Sequence, residues 1–120
     1  MNNRQLDMKI VSKNTTIAEN VKVADSFLSR LIGLMFSKGL VGFDALLIRP
    51  CNSIHTFFMR YNIDVVFLDK QMRIVRIIRN IKPWRMTWIY FKSHQVIEMA
   101  GGSLPQNINE GETLEVVCTN

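Results

Sequence analysis

Hydrophobic and polar positions alternate irregularly through the first quarter of the chain, then gather into short, nearly unbroken apolar runs. Residues 8–11, 15–17 and 21–23 are β-suited pieces separated by the polar turns Lys13-Asn14 and Glu19-Asn20. Such spacing predicts a small antiparallel meander. Phe27, Leu31 and Met35, with Leu28 and Ile32, recur at the i, i+4, i+8 interval of one helical face. Asp25-Ser26 supplies a cap and Lys38-Gly39 a stop, which predicts one helix over about residues 26–37. Beyond it, residues 45–48, 54–59, 63–68, 73–78, 95–99 and 113–118 read as strands. Asp69-Lys70-Gln71-Met72 reads as a hairpin connection and residues 80–93 as a looser region. Short strands at regular spacing point to a mainly β sandwich or barrel.

Composition narrows the class. A chain of 120 residues suits a single domain, because a second core would bury too little surface. Apolar residues at 48% and charged ones at 21% exclude a disordered or fibrous protein. The start, Met1-Asn2-Asn3-Arg4-Gln5-Leu6-Asp7, lacks the apolar stretch of a signal peptide. No run reaches the roughly 18 residues of a spanning helix. A cytoplasmic protein is the expectation, with Cys51 and Cys118 as reduced thiols rather than a disulfide. The net charge of +5 favours anionic partners without naming one.

Several ordered motifs carry a resemblance. Val23-Ala24-Asp25 is followed by Arg30 and Gly33-Leu34-Met35, then by Cys51, Ile54-His55-Thr56-Phe57 and Met59-Arg60. Next come Ile63-Asp64-Val65-Val66-Phe67-Leu68-Asp69, Glu98, Ala100-Gly101 and Gly111. With these motifs the chain resembles the uncharacterised DUF192 family, also labelled UPF0127, over about residues 8–117. Tyr61-Asn62 stands where similar sequences have Phe-Pro, and Gly111-Glu112 where they have Gly-Asp. The resemblance implies a jelly-roll-like or barrel-like antiparallel β-sandwich with one packed helix. It implies no activity.

Candidate chemistry gathers around Cys51, His55 and Asp64. An imidazolium beside a thiol lowers its pKa and makes a thiolate nucleophile, and a carboxylate can orient the imidazole. The plainer reading makes Cys51 a small buried hydrophobe and His55 a hydrogen-bonded strand-edge residue. For a metal, Cys51, His55, His94 and Cys118 show no paired ligand spacing, so no metal site is expected. No cofactor is expected either. From Lys70 to Gln95 the basic residues Lys70, Arg73, Arg76, Arg79, Lys82, Arg85 and Lys92 interleave with Trp84, Trp88, Tyr90 and Phe91, without an acid. Single-stranded nucleic acid could lie there, yet the spacing of the three arginines breaks strand alternation, so this reading is not favoured. Trp84, Arg85 and Trp88 equally suit a flap over a pocket or a protein contact. Gly33 permits close packing of helix on sheet, and Arg30 either pairs with a carboxylate such as Asp64 or Glu98 or recognises an anion. The favoured expectation is a non-catalytic module binding an unidentified small ligand or protein. A thiol-dependent hydrolase or transferase is the first alternative and a nucleic-acid binder the second.

Overall fold

A computed structural model describes residues 4–6, 8–13, 15–34, 39–40 and 42–118. Among these residues, nine strands and one helix follow in the order β1 (Arg4–Leu6), β2 (Met8–Ser12), β3 (Thr15–Ala18), β4 (Val21–Ala24), α1 (Phe27–Ile32), β5 (Ala45–Ile48), β6 (Ile63–Leu68), β7 (Ile74–Ile81), β8 (Gln95–Ala100) and β9 (Glu115–Cys118). They form a six-stranded sheet, β1-β4-β5-β8-β6-β7, and a three-stranded sheet, β3-β2-β9. The arrangement is a mainly β sandwich and not a closed barrel.

The central strands of the larger sheet are covered on both sides, which explains their sequence. Residues of β5 and β6 are all buried, and so are all but the last of β8. Strands buried on both faces need apolar side chains at every position, so they read as continuous runs rather than alternation. Toward the small sheet, Ile10, Val23, Leu47, Val66, Leu68, Ile97 and Met99 form one core. On the other face Leu46, Ile48, Ile63, Val65, Phe67 and Val96 meet Leu34, Ile54 and Met59 in a second.

Three expectations are corrected. Strand β4 leaves the meander: β2 and β3 pair in the small sheet, whereas β4 pairs with β1 and runs parallel to β5 in the large one. Residues 54–59 form no strand. Ile54 and Met59 are buried because they cover the sheet, and the one ladder contact of the segment is an isolated bridge between His55 and Met86. The helix is short. Ser26 and Ser29 make a reciprocal capping box at its start, as the cap residue predicts, and Gly33 closes it at φ +52° with its N–H on the Ser29 carbonyl. Met35, Ser37 and Lys38 of the expected helix lie outside the described residues, as does Asn14 of the first turn.

Candidate functional site

The layer over the second core does not close completely on the sheet. Between them lies a cavity of about 320 Å³, walled by Arg30, Ile32, Gly33 and Leu34 at the helix end, Ile48, Pro50 to His55, Met59 and Glu98. Gly33 makes the close approach possible: a Cβ built there would lie 3.4 Å from Glu98 Oε1.

Glu98 dominates the chemistry. On β8 it pairs with Leu46 on one side and Val65 on the other, so its side chain joins those residues on the helix-facing side of the sheet. It is only 4% exposed. Among the described residues its carboxyl makes no hydrogen bond and no ion pair. Burial disfavours the charged form and pushes its pKa up from 4.5 to about 8.

Arg30 lies in the same wall. Its Nε donates to the Ser26 carbonyl at 3.3 Å and its Nη1 to the Pro50 carbonyl at 3.2 Å. It pairs with neither Asp64 nor Glu98, so the carboxylate partner expected from sequence is absent among the described residues. Cys51 is fixed by its backbone, with its N–H on the His94 carbonyl and its carbonyl accepting from Ser93 Oγ. Burial raises its thiol to about 11, and its S–H points to the Ser53 carbonyl at 3.1 Å. That is a protonated, weakly reactive thiol. His55 Nδ1 accepts the Phe57 N–H at 3.2 Å, and the imidazole stacks on the Phe57 ring. In the neutral ring this leaves the proton on Nε2.

Asp64 stands elsewhere. Successive strand residues face opposite ways, and its neighbours Ile63 and Val65 belong to the core that lines the pocket. Asp64 therefore points toward the small sheet, with Val66 and Leu68. There its carboxylate accepts the N–H groups of Asn80, Gly102 and Leu104 at 2.9–3.0 Å. The Cys51, His55 and Asp64 grouping is not assembled. The acid that shares the pocket with Cys51 and His55 is Glu98. It appeared among the motif residues but not among the expected site residues, and its signal was an acid inside the apolar strand 95–100.

Trp84, Arg85 and Trp88 belong to an extended strap that is tied down rather than loose. Thr56 exchanges backbone hydrogen bonds with Trp84 and Arg85, Thr87 N–H reaches the Ile54 carbonyl, and Tyr90 N–H the Asn52 carbonyl. The Thr56 hydroxyl donates to the Lys82 carbonyl at 2.6 Å and accepts the Arg85 N–H at 2.8 Å. The strap thus braces the pocket wall at residues 52–56 while leaving Trp88 and Phe91 more than 80% exposed. The basic stripe before it is interrupted. Arg76 lies 3.8 Å from Glu110, and Arg79 donates to the carbonyls of Leu104 and Pro105.

Comparison with known sequences places this arrangement. The model of the DUF192 family, described as "Uncharacterized ACR", matches residues 8–116. The chain belongs to the DUF192 family. This DUF192 chain is 42% identical to a UPF0127 protein of Pyrococcus horikoshii over 90 residues, covering 72% of this chain and 77% of that protein. A UPF0127 protein of Thermococcus sibiricus is 41% identical over 70 residues, or 54% of this chain and 44% of that protein. Crystal structures from Novosphingobium aromaticivorans and Sinorhizobium meliloti share the fold. Their TM-scores are 0.74 and 0.76, at 16% and 17% identity, covering 92% and 95% of this chain and 84% and 93% of theirs.

Proposed function

We propose that this DUF192 chain is a non-catalytic binding module whose helix-side pocket holds a compact ligand carrying a hydrogen-bond donor for Glu98. The observation that carries the reading is the Glu98 carboxyl, without a hydrogen-bond partner among the described residues, set in a cavity whose walls are partly apolar. A buried polar group without a partner costs a few kcal/mol, and a ligand that supplies the partner recovers that cost on binding. A cavity of about 320 Å³ lies at the small end of ligand sites, which run roughly from 300 to 1,000 Å³. Convergent polar groups among apolar walls are the usual composition of such sites.

The observations weigh against thiol chemistry. A nucleophilic cysteine needs a depressed pKa, and Cys51 is raised. The interrupted basic stripe weakens the nucleic-acid reading, because Arg76 and Arg79 already have partners.

Isoamylamine, a short branched chain ending in an ammonium group, is a suitable first probe. The expected result is saturable amide NMR shifts at Gly33, Ser53 and Ile54, strongly reduced in Glu98→Gln. Shifts scattered over the surface, or equal in both proteins, would refute the reading.

A further inference from the structure

The pocket also holds a half-exposed cation, Arg30, in the same lining as the Glu98 carboxyl. Arg30 uses Nε and Nη1 on two backbone carbonyls. A guanidinium has five N–H donors, so three remain, and no described carboxylate pairs with them. Both groups line one cavity. Both also act electrostatically on the Cys51 sulfur, Glu98 raising and Arg30 lowering its pKa, after the larger effects of burial and the Ser53 hydrogen bond.

We infer that the ligand is a free zwitterion of amino-acid type, its ammonium group on Glu98, its carboxylate on Arg30 and a short branched apolar side chain against Ile48, Ile54 and Met59. This inference rests on the pocket being a binding site. A simple amine satisfies Glu98 and leaves Arg30 unused. A simple carboxylate reaches Arg30 and confronts Glu98 with a like charge or an unmatched proton. Only a molecule bearing both groups close together completes the two, and charge-assisted hydrogen bonds to each are the strong kind. The apolar wall then selects among zwitterions. A branched aliphatic side chain buries its methyl groups there, whereas a charged one would lose its hydration without a partner. A peptide N-terminus is excluded by the same logic, since its carboxyl group is an amide at the position Arg30 requires.

Calorimetric titration of the wild-type chain with L-leucine, leucinamide, isoamylamine and isocaproate tests this. Leucine is expected to bind at least about tenfold more tightly than the amine, the amide or the acid, the gain of one added charge-assisted contact. Arg30→Gln should abolish the advantage of leucine over isoamylamine, and saturable isoamylamine shifts at Ser53 and Ile54 in the variant show that it keeps its pocket. If leucine binds no better than isoamylamine, the zwitterion inference fails and the binding-module reading stands. If isoamylamine does not bind either, both fail. If leucinamide matches leucine, Arg30 is not a carboxylate receptor and the inference is overturned.

Discussion

Replacing Glu98 by glutamine (Glu98→Gln) keeps the side chain's shape and removes its titration, so it isolates the effect of one buried acid on folding. In an unfolded chain Glu98 titrates at 4.5, and in the folded protein at about 8. Between those values the native state holds a proton that the unfolded state has released. Stability therefore falls as pH rises through that window: the protonated native form is undiminished below 4.5, and its contribution is lost above about 8. At about 1.4 kcal/mol per pH unit, the gap between the two values corresponds to roughly 5 kcal/mol at most. Water entry and local relaxation around the new carboxylate lower the measurable figure to between about 2 and 5 kcal/mol. Urea unfolding of both proteins across this window supplies the test, with the difference between them as the readout. The other pocket residues are common to both proteins, so what they contribute largely cancels in the difference. The wild-type chain should lose about 2–5 kcal/mol more than Glu98→Gln as pH rises, ending less stable than the variant. Parallel curves would mean that Glu98 is solvated or paired, and the reasoning would be wrong.

Further outcomes follow from the same structure. Cys51 should react with iodoacetamide at neutral pH roughly 100-fold more slowly than an unperturbed thiol, as resolved by peptide mass spectrometry that separates it from the exposed Cys118; equal rates would restore the nucleophile. Asp64→Ala leaves three N–H groups without their acceptor and should cost about 3–5 kcal/mol in urea unfolding while sparing isoamylamine affinity. A loss below about 1 kcal/mol would show that the three hydrogen bonds do little for the fold. Gly33→Ala places a Cβ 3.4 Å from Glu98 Oε1 at a φ of +52°, so it should destabilise by about 1–2 kcal/mol and weaken the amine; unchanged affinity would separate Gly33 from the pocket. Thr56→Val removes the hydroxyl between Lys82 and Arg85, and should speed amide hydrogen exchange at Arg85 and Thr87 before that of β6. Simultaneous acceleration everywhere would show that the strap does not open independently.

Much of the sheet was legible because burial on both faces writes itself as nearly unbroken apolar sequence. Strands β5, β6 and β8 fall within a residue of their expected bounds for that reason. The same signal misled at residues 54–59, since a segment lying on a sheet needs the same apolar side chains as one within it. Strand partners were not legible. Nothing local in residues 21–24 says that they leave their neighbours and run parallel to β5. Asp64 illustrates the limit most clearly: in an all-apolar run, alternation gives no clue as to which face an acid occupies. Glu98 left a fainter trace, an acid in a strand otherwise fit for the interior, and its meaning emerged only with Gly33, Arg30 and the cavity beside it.

The carboxyl-carbon NMR titration of Glu98, alone and with saturating isoamylamine, tests the binding claim most directly. The account predicts a midpoint near 8 in the free protein and a clear downward shift when the ammonium group is bound. A midpoint near 4.5, or one unmoved by the amine, would contradict it.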